Sequence, residues 1–412
     1  MRYPGRRGTN LPRMGDYNQL VVLDHIRRAR VSVSRVELAA VTGLSGQTIS
    51  NVVGRLLEQG LVQEGERQIT GRGKPRTLLH LRPGAGYALG AHIDPVSVTI
   101  VLLDLAGTIV ERAVVTTPDG SPAVVAAIAD EVARMRALVP GGEVVGLGVA
   151  APGPIDPEAG RVIHPPLMPS WGDVPLRDRL ADATGLPTLL DKDVAAAMVA
   201  ELWQGHHELH TTTLFVYLGF GIGFAFAREG EVLSGSSRNA GEIGHLIVDA
   251  DGPPCFCGNR GCLGVSVALD RLVAEAVDGG VLPASTPRGT PAELDVAMGR
   301  LAAAGEAGDA VAREILDRAA RRLARGIVIV SDLIDADGVV VGGANWARLA
   351  PYLSAAARTE FAGHATMREL HGVEVGGTAL GPWIGAVGAA SQVLDAAFTP
   401  HASLLVAQPA GA

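Results

Sequence analysis

Cysteine is almost absent from this 412-residue chain: there are three, and all lie between Cys255 and Cys262. An odd, clustered trio argues against a disulfide framework and points to metal ligation. Nowhere does an uninterrupted apolar run approach the ~20 residues that a membrane helix requires, so no transmembrane helix is expected. The start, Met1 to Met14, is basic and carries Gly and Pro but no apolar stretch. No secretory leader is expected there, and the cytoplasm is the expected compartment. What is plentiful is glycine, with 53 residues, and apolar side chains, at 47% of the chain. That balance belongs to a globular α/β protein and not to a disordered or fibrous one. Because domains usually run to roughly 100–200 residues, two or three folded units are expected.

A net charge of −8 conceals an asymmetry. From Met1 to Arg82 there are 14 Lys and Arg against 6 Asp and Glu; over the rest of the chain the count is 21 against 37. The front segment is therefore suited to a polyanion, since neutralisation of phosphates by Lys and Arg supplies the sequence-independent part of nucleic-acid affinity. A solvated basic tail would show the same excess.

Apolar residues Leu20, Val21, Leu23, Ile26 and Ala29 recur near helical spacing and predict a first helix over Asn18–Arg30. Ser34 with Glu37 forms a capping box, which predicts a short second helix over Val36–Val41 that stops near Thr42-Gly43. Ser45 then caps a third helix to about Glu58, burying Ile49, Val52, Val53, Leu56 and Leu57 and turning Gln47, Thr48, Ser50, Asn51 and Arg55 outward. Hydrogen-bonding side chains on the early turns of such a helix suit the base edges of a major groove. Gly60 ends the helix, Leu61-Val62 opens a strand, and Gly71-Arg72-Gly73-Lys74-Pro75-Arg76 makes a basic tip before the strand Thr77–Leu81. Cations on a wing of this kind suit phosphates or a narrow minor groove. Residues 16–82 thus predict a winged helix-turn-helix behind a flexible basic arm (1–15). Its DNA-contacting set is Ser45, Gln47, Thr48, Ser50, Asn51, Arg55, Arg72, Lys74 and Arg76. Helical periodicity alone would equally suit a dimerisation module; the complete string with its basic wing favours double-stranded DNA.

From Gly86 onward strands alternate with Ala-rich helices, which predicts an α/β arrangement. Strands are expected at Tyr87–Ile93, Ser97–Asp104, Ile109–Thr116, Val144–Ala150, Thr188–Leu190, Thr213–Leu218 and Gly338–Val341. Helices are expected at Ala123–Leu138 and Val194–Trp203, and a long Pro-rich connection holding Trp171 separates Pro154 from Pro187.

At this point the residues resemble the ROK family (repressors, open reading frames, kinases), and within it the DNA-binding regulators. The likeness rests most specifically on Ala240-Gly-Glu-Ile-Gly-His245 followed by Cys255-Phe-Cys257-Gly-Asn-Arg-Gly-Cys262, and it extends to Leu380-Gly-Pro-Trp-Ile-Gly-Ala-Val-Gly388. It implies an actin-like ATPase or hexokinase-like fold of two lobes over 83–398, with a ligand between them. The smaller lobe would span about 83–193 plus a C-terminal helix at about 382–398, and the larger about 194–381 with a zinc loop at 240–264. Residues 399–412 would be a flexible tail.

Three thiolates on one glycine-bounded loop, with His245 as a fourth ligand, make a closed tetrahedral set for a structural zinc ion with no position left for a catalytic water. The resemblance also places His245 beside the sugar pocket, so one ring nitrogen can hold metal while the other faces ligand. Redox sensing by the thiols is the other reading.

A kinase of this family needs a carboxylate base, a glycine turn for phosphates and polar groups around the sugar. The resemblance places Asp193 at the base and Glu242 with His245 at the sugar hydroxyls; Asp193 would also serve as a helix N-cap. Other positions depart. The first phosphate turn reads Asp94-Pro95-Val96-Ser97 where kinases of the family have Asp-Gly-Gly-Thr, removing the close backbone approach that phosphate needs. Lys192 stands at a family Asn and Gly264 at a family Glu, which points to an acidic or phosphorylated sugar, or to no sugar, at a ligand site formed by Lys192, Asp193, Glu242 and His245. Gly219, Gly221 and Gly223, with Gly342-Gly343, read as strand turns in preference to a nucleotide cradle. The sequence therefore predicts a regulator without kinase activity, a repressor of carbohydrate-related genes that binds an operator as a homodimer or homotetramer and answers a sugar-like effector. An ATP-dependent sugar kinase with an accessory DNA-binding head, or a ligand-independent regulator, are the alternatives.

Overall fold

A computed structural model describes residues 11–29, 32–68, 76–204, 211–364 and 372–400. Helix α1 (Leu11–Arg28) leads into strand β1 (Val33–Ser34), helices α2 (Arg35–Thr42) and α3 (Gly46–Glu58), and strands β2 (Val62–Gln68) and β3 (Arg76–Leu81). The capping box is formed: Ser34 accepts from the Glu37 N–H and Glu37 accepts from the Ser34 N–H at 2.7 Å. Gly43, at φ 69°, closes α2 in the left-handed region where glycine has no Cβ to clash. Ile49, Val52, Val53 and Leu56 on one face of α3 meet Val22, Leu23 and Ile26 of α1 and Leu38 of α2 in one buried cluster. The first helix starts earlier than its apolar period implies, at Leu11, so residues 11–15 belong to it and not to an arm.

Behind this head the body contains two five-stranded sheets built to one plan. The first sheet joins β4 (Tyr87–Ile93), β5 (Ser97–Asp104) and β6 (Ile109–Thr116) as an antiparallel meander. It adds β7 (Val144–Ala151) parallel to β4, and the strand at Thr188–Lys192 parallel to β7. Its outer face is covered by α4 (Ser121–Arg136), whose Val124, Ile128 and Val132 are buried. The Pro-rich connection is not featureless: it folds β8 (Ile155–Asp156), β9 (Arg161–Ile163) and β10 (Asp173–Val174) into a small sheet and adds α5 (Leu176–Thr184). Next come β11 (Thr188–Lys192) and α6 (Asp193–Gln204).

The second sheet repeats the arrangement, with β12 (Thr212–Leu218), β13 (Ile222–Arg228) and β14 (Glu231–Val232) as the meander. Helices α7 (Leu263–Val267), α8 (Leu269–Asp278), α9 (Pro291–Glu306) and α10 (Ala310–Ile334) precede β15 (Gly338–Gly342), and α11 (Trp346–His364) precedes β16 (Glu374–Gly377). Both late strands run parallel in the sheet order β14-β13-β12-β15-β16. Helix α12 (Ile384–Phe398) returns to lie with α6 between the two sheets. There the backbones approach so closely that a Cβ on Gly148 would run into the Ala389 carbonyl, and one on Gly388 into that of Ala196. Thr399 is buried, so the ordered chain passes the end of α12. Among the described residues, no helix is long and apolar enough to cross a membrane.

Candidate functional site

Three places in the fold carry the chemistry: the exposed face of α3, the cleft at the ends of β11 and β12, and the loop that presents the cysteines. On α3, Ser45 caps the helix by accepting from the Thr48 N–H. Gln47, Ser50 and Asn51 are exposed, and Gln47 donates to the Asn51 side chain at 3.1 Å, one turn on. Each amide keeps a donor or an acceptor free for a base edge. Thr48 is half-buried and shares a 2.9 Å hydroxyl contact with Ser45. Arg55 departs from expectation: it is half-buried and donates to the Gly15 carbonyl at 3.3 Å, bracing α1 on α3 instead of facing outward. Arg76 stands 3.9 Å from Glu37 at the base of the wing, while Arg72 and Lys74 lie outside the described residues.

Strand β11 carries Asp191, Lys192 and, at the start of α6, Asp193. These side chains do not share one environment. Asp191 turns away from the cleft, accepting from Gln392 at 2.7 Å with Arg238 at 3.9 Å. Lys192 turns into the cleft, where its ammonium meets Glu242 at 2.6 Å. Asp193 is half-buried, one oxygen accepting from the Val194 N–H at 2.7 Å, and burial raises its carboxyl above the ordinary range. His92 and Tyr217, which carry no signal in the sequence, lie in apolar strands 125 residues apart and come within 3.5 Å of each other. Burial lowers the His92 pKa and raises that of Tyr217, so both are held neutral beside Asp193.

The turn at Asp94–Ser97 is engaged by its own side chain. Pro95 has no N–H to offer, and the Val96 N–H is taken by the Asp94 carboxylate at 3.0 Å. The Phe220 N–H, inside the Gly219–Gly223 turn, also lowers the Asp94 pKa, so the acid feels both turns. Burial nonetheless pushes the Asp94 pKa up to about 6. Asn345, just after Gly342-Gly343, donates to the Gly219 carbonyl at 2.7 Å and is itself held by Arg348, which pairs with Asp295 at 2.6 Å.

At the loop, the ligand atoms of His245, Cys255, Cys257 and Cys262 all lie within 4.8 Å of one another. Cys255 Sγ is 3.5 Å from His245 Nδ1, and Cys257 Sγ is 3.6 Å from Cys262 Sγ. Tetrahedral zinc, with bonds of about 2.0–2.3 Å, sets neighbouring N and S ligands roughly 3.5–3.8 Å apart. The cluster therefore fits a metal of that kind, with Nδ1 as the ligating nitrogen. Burial pushes the Cys262 thiol up to about 12, whereas the Asn259 N–H draws Cys257 down to about 7.

Helix α6 connects the cleft to the head. Its first residue is Asp193, and Trp203 lies near its other end, so its 12 residues span about 18 Å. The Arg27 guanidinium of α1 lies 3.6 Å over the Trp203 ring, donates to the Trp203 carbonyl at 2.9 Å and pairs with Asp24 at 2.6 Å. Phe398, at the end of α12, packs against the cores of both head and body.

The ROK family pattern matches residues 90–396, and that of the MarR family matches residues 10–72. A xylose repressor of Bacillus subtilis is 29% identical over 249 residues, covering 60% of this chain and 64% of that protein. The crystal structure of a ROK family transcriptional regulator, a homologue of the E. coli Mlc protein, shares the fold at a TM-score of 0.72 with 21% identity, covering 93% of this chain and 97% of the other. A ROK family glucokinase from Streptomyces griseus, solved with glucose and AMPPNP, superposes at 0.63 with 26% identity over 74% of this chain and 99% of its own.

Proposed function

Because the chain belongs to the ROK family, we propose that it is a DNA-binding transcriptional regulator, a repressor of carbohydrate-related genes, whose cleft senses a small ligand and does not phosphorylate it. The observation that carries this reading is a winged-helix head joined to a body in which Asp94 and Pro95 occupy the phosphate turn. Gln47, Ser50 and Asn51 read base edges; Ser45 and Thr48 fix the start of their helix; Arg72, Lys74 and Arg76 engage phosphates. Arg55 acts indirectly by holding α3 on α1. Two heads of a homodimer, or of a homotetramer, meet a palindromic operator, since protein and site symmetry match.

His245, Cys255, Cys257 and Cys262 would hold a structural zinc ion that closes the loop carrying Glu242. Lys192, Asp193, Glu242 and the free Nε2 side of His245 face the ligand. A ligand that favours one lobe arrangement shifts Asp193, and α6 carries that shift to Trp203 and the head; only differential affinity for the two arrangements drives the change.

The retained Asp193 and the glycines at 219, 221 and 223 favour a second reading, a sugar kinase with a DNA-binding head. Incubation of the full chain with ATP and a sugar panel separates the two. No sustained ADP release supports the sensor; ADP release that disappears in Asp193→Asn establishes the kinase. Fluorescence anisotropy on genomic duplexes tests DNA binding independently.

A further inference from the structure

Lysine occurs twice in 412 residues, as Lys74 and Lys192, in a chain whose Lys and Arg total 35. One of the two is sealed in the cleft: the Lys192 side chain is 5% exposed. An ammonium group offers three donors, and among the described residues its one hydrogen bond is to Glu242 at 2.6 Å. The partner is unlike it in accessibility, with 63% of its side chain exposed. Gly153 faces this pair: a Cβ built there would lie 3.4 Å from Lys192 Cε, 3.5 Å from Asn239 Oδ1 and 3.6 Å from Glu242 Oε1. The missing side chain leaves room for a methyl-sized group beside the ion pair. Asn239 does not fill it, because its amide donates to Ile155 and Ser237 carbonyls and accepts from the Ile155 N–H.

We propose that the effector is a sugar acid, whose carboxylate replaces Glu242 as the partner of Lys192. This rests on the reading of the cleft as an effector site. A buried ammonium stripped of its partner is strongly destabilising, so a neutral sugar must leave the Lys192–Glu242 pair closed and touch only its outer side. A carboxylate keeps Lys192 paired through a charge-assisted hydrogen bond, and the exposed Glu242 returns to water at little cost because surface pairs contribute little. One cation also sets the charge. A phosphate dianion would meet a single ammonium close to the half-buried carboxyl of Asp193, whereas a monoanion is matched.

Isothermal titration of the full chain with sodium D-glucuronate, sodium D-gluconate, D-glucose and D-glucose 6-phosphate tests the proposal. The expected result is that at least one of the two acids binds about ten-fold or more tightly than glucose, with affinity falling as salt rises. Lys192→Asn should abolish that preference. Glu242→Gln should strengthen binding of the acid without strengthening that of glucose, because the competitor has lost its charge. Glucose binding as tightly as either acid, the phosphate ester binding in preference to both, no binding by any of the four, or loss of acid binding in Glu242→Gln would each overturn the proposal. Operator retention is read separately: a chain that holds duplex but ignores the acids refutes this inference alone, and one that binds the acids but no duplex refutes the regulator.

Discussion

Asp94→Asn should make the protein progressively more stable than the wild type as pH rises. In the native state the carboxyl is pushed from an ordinary 3.8 to about 6, chiefly by burial, against the N–H donors of Val96 and Phe220. Its native pKa is therefore raised, so the folded chain binds the proton that the unfolded chain has already released. Stability from this group is present below the unfolded pKa and is lost as pH climbs through the native one. The difference between the two values corresponds to about 3 kcal/mol, at 1.36 kcal/mol per unit. Below about pH 3 the acid is protonated in both states and, like the amide, neutral and of similar shape, so the two chains should unfold at closely similar urea concentrations. From there the gap should widen in favour of the amide variant and level off above about pH 7. Urea titrations followed by tryptophan fluorescence at several pH values read the gap as the shift in midpoint multiplied by the slope. Curves that stay parallel across that range, or a variant that loses ground at alkaline pH, would show that Asp94 ionises without penalty.

Removing the amides that face outward on α3, by Gln47→Ala or Asn51→Ala, should relax base choice at one operator position at a cost of about 1–3 kcal/mol. Arg72→Ala or Lys74→Ala should instead weaken all duplexes alike and reduce the salt slope by about 1, both read by anisotropy across a salt series. Stripping metal with a chelator should lower the melting temperature and release zinc, measured by elemental analysis; Cys262→Ser should melt early and ignore the chelator, and an unchanged melt would remove the metal's structural role. Arg27→Ala takes the guanidinium off Trp203 while leaving the operator-facing residues intact. DNA affinity should persist, while the change produced by effector, typically about 5–150-fold in coupled systems, should shrink toward about two-fold or less.

Local signals carried far in this chain. The boundaries of β4, β5 and β6 follow from apolar stretches punctuated by Asp94-Pro95 and Gly107, and the capping box at Ser34 formed as its residues require. Arg55 shows the limit of such reasoning. It lies one turn beyond Asn51 and two beyond Gln47, so period alone puts it on the exposed face, but α1 crosses there and its Gly15 carbonyl captures the guanidinium. The early start of α1 and the small sheet with α5 were hidden for the opposite reason, because Pro and Gly suppress the periodicity that announces an element. At the cleft, the sequence places Lys192 and Glu242 in one ligand site but does not disclose that they pair with each other across 50 residues. His92 and Tyr217 gave no local signal, being single polar residues in buried strands whose partner is set only by the stacking of two sheets.

The most direct test takes the full-length chain to fragmented genomic DNA at physiological salt and identifies what it retains. A DNA-binding regulator should recover a small set of fragments sharing a palindrome, lost when Gln47 and Asn51 are replaced together. Recovery of no fragment above background, even in dilute salt, would contradict the assignment of the head to DNA.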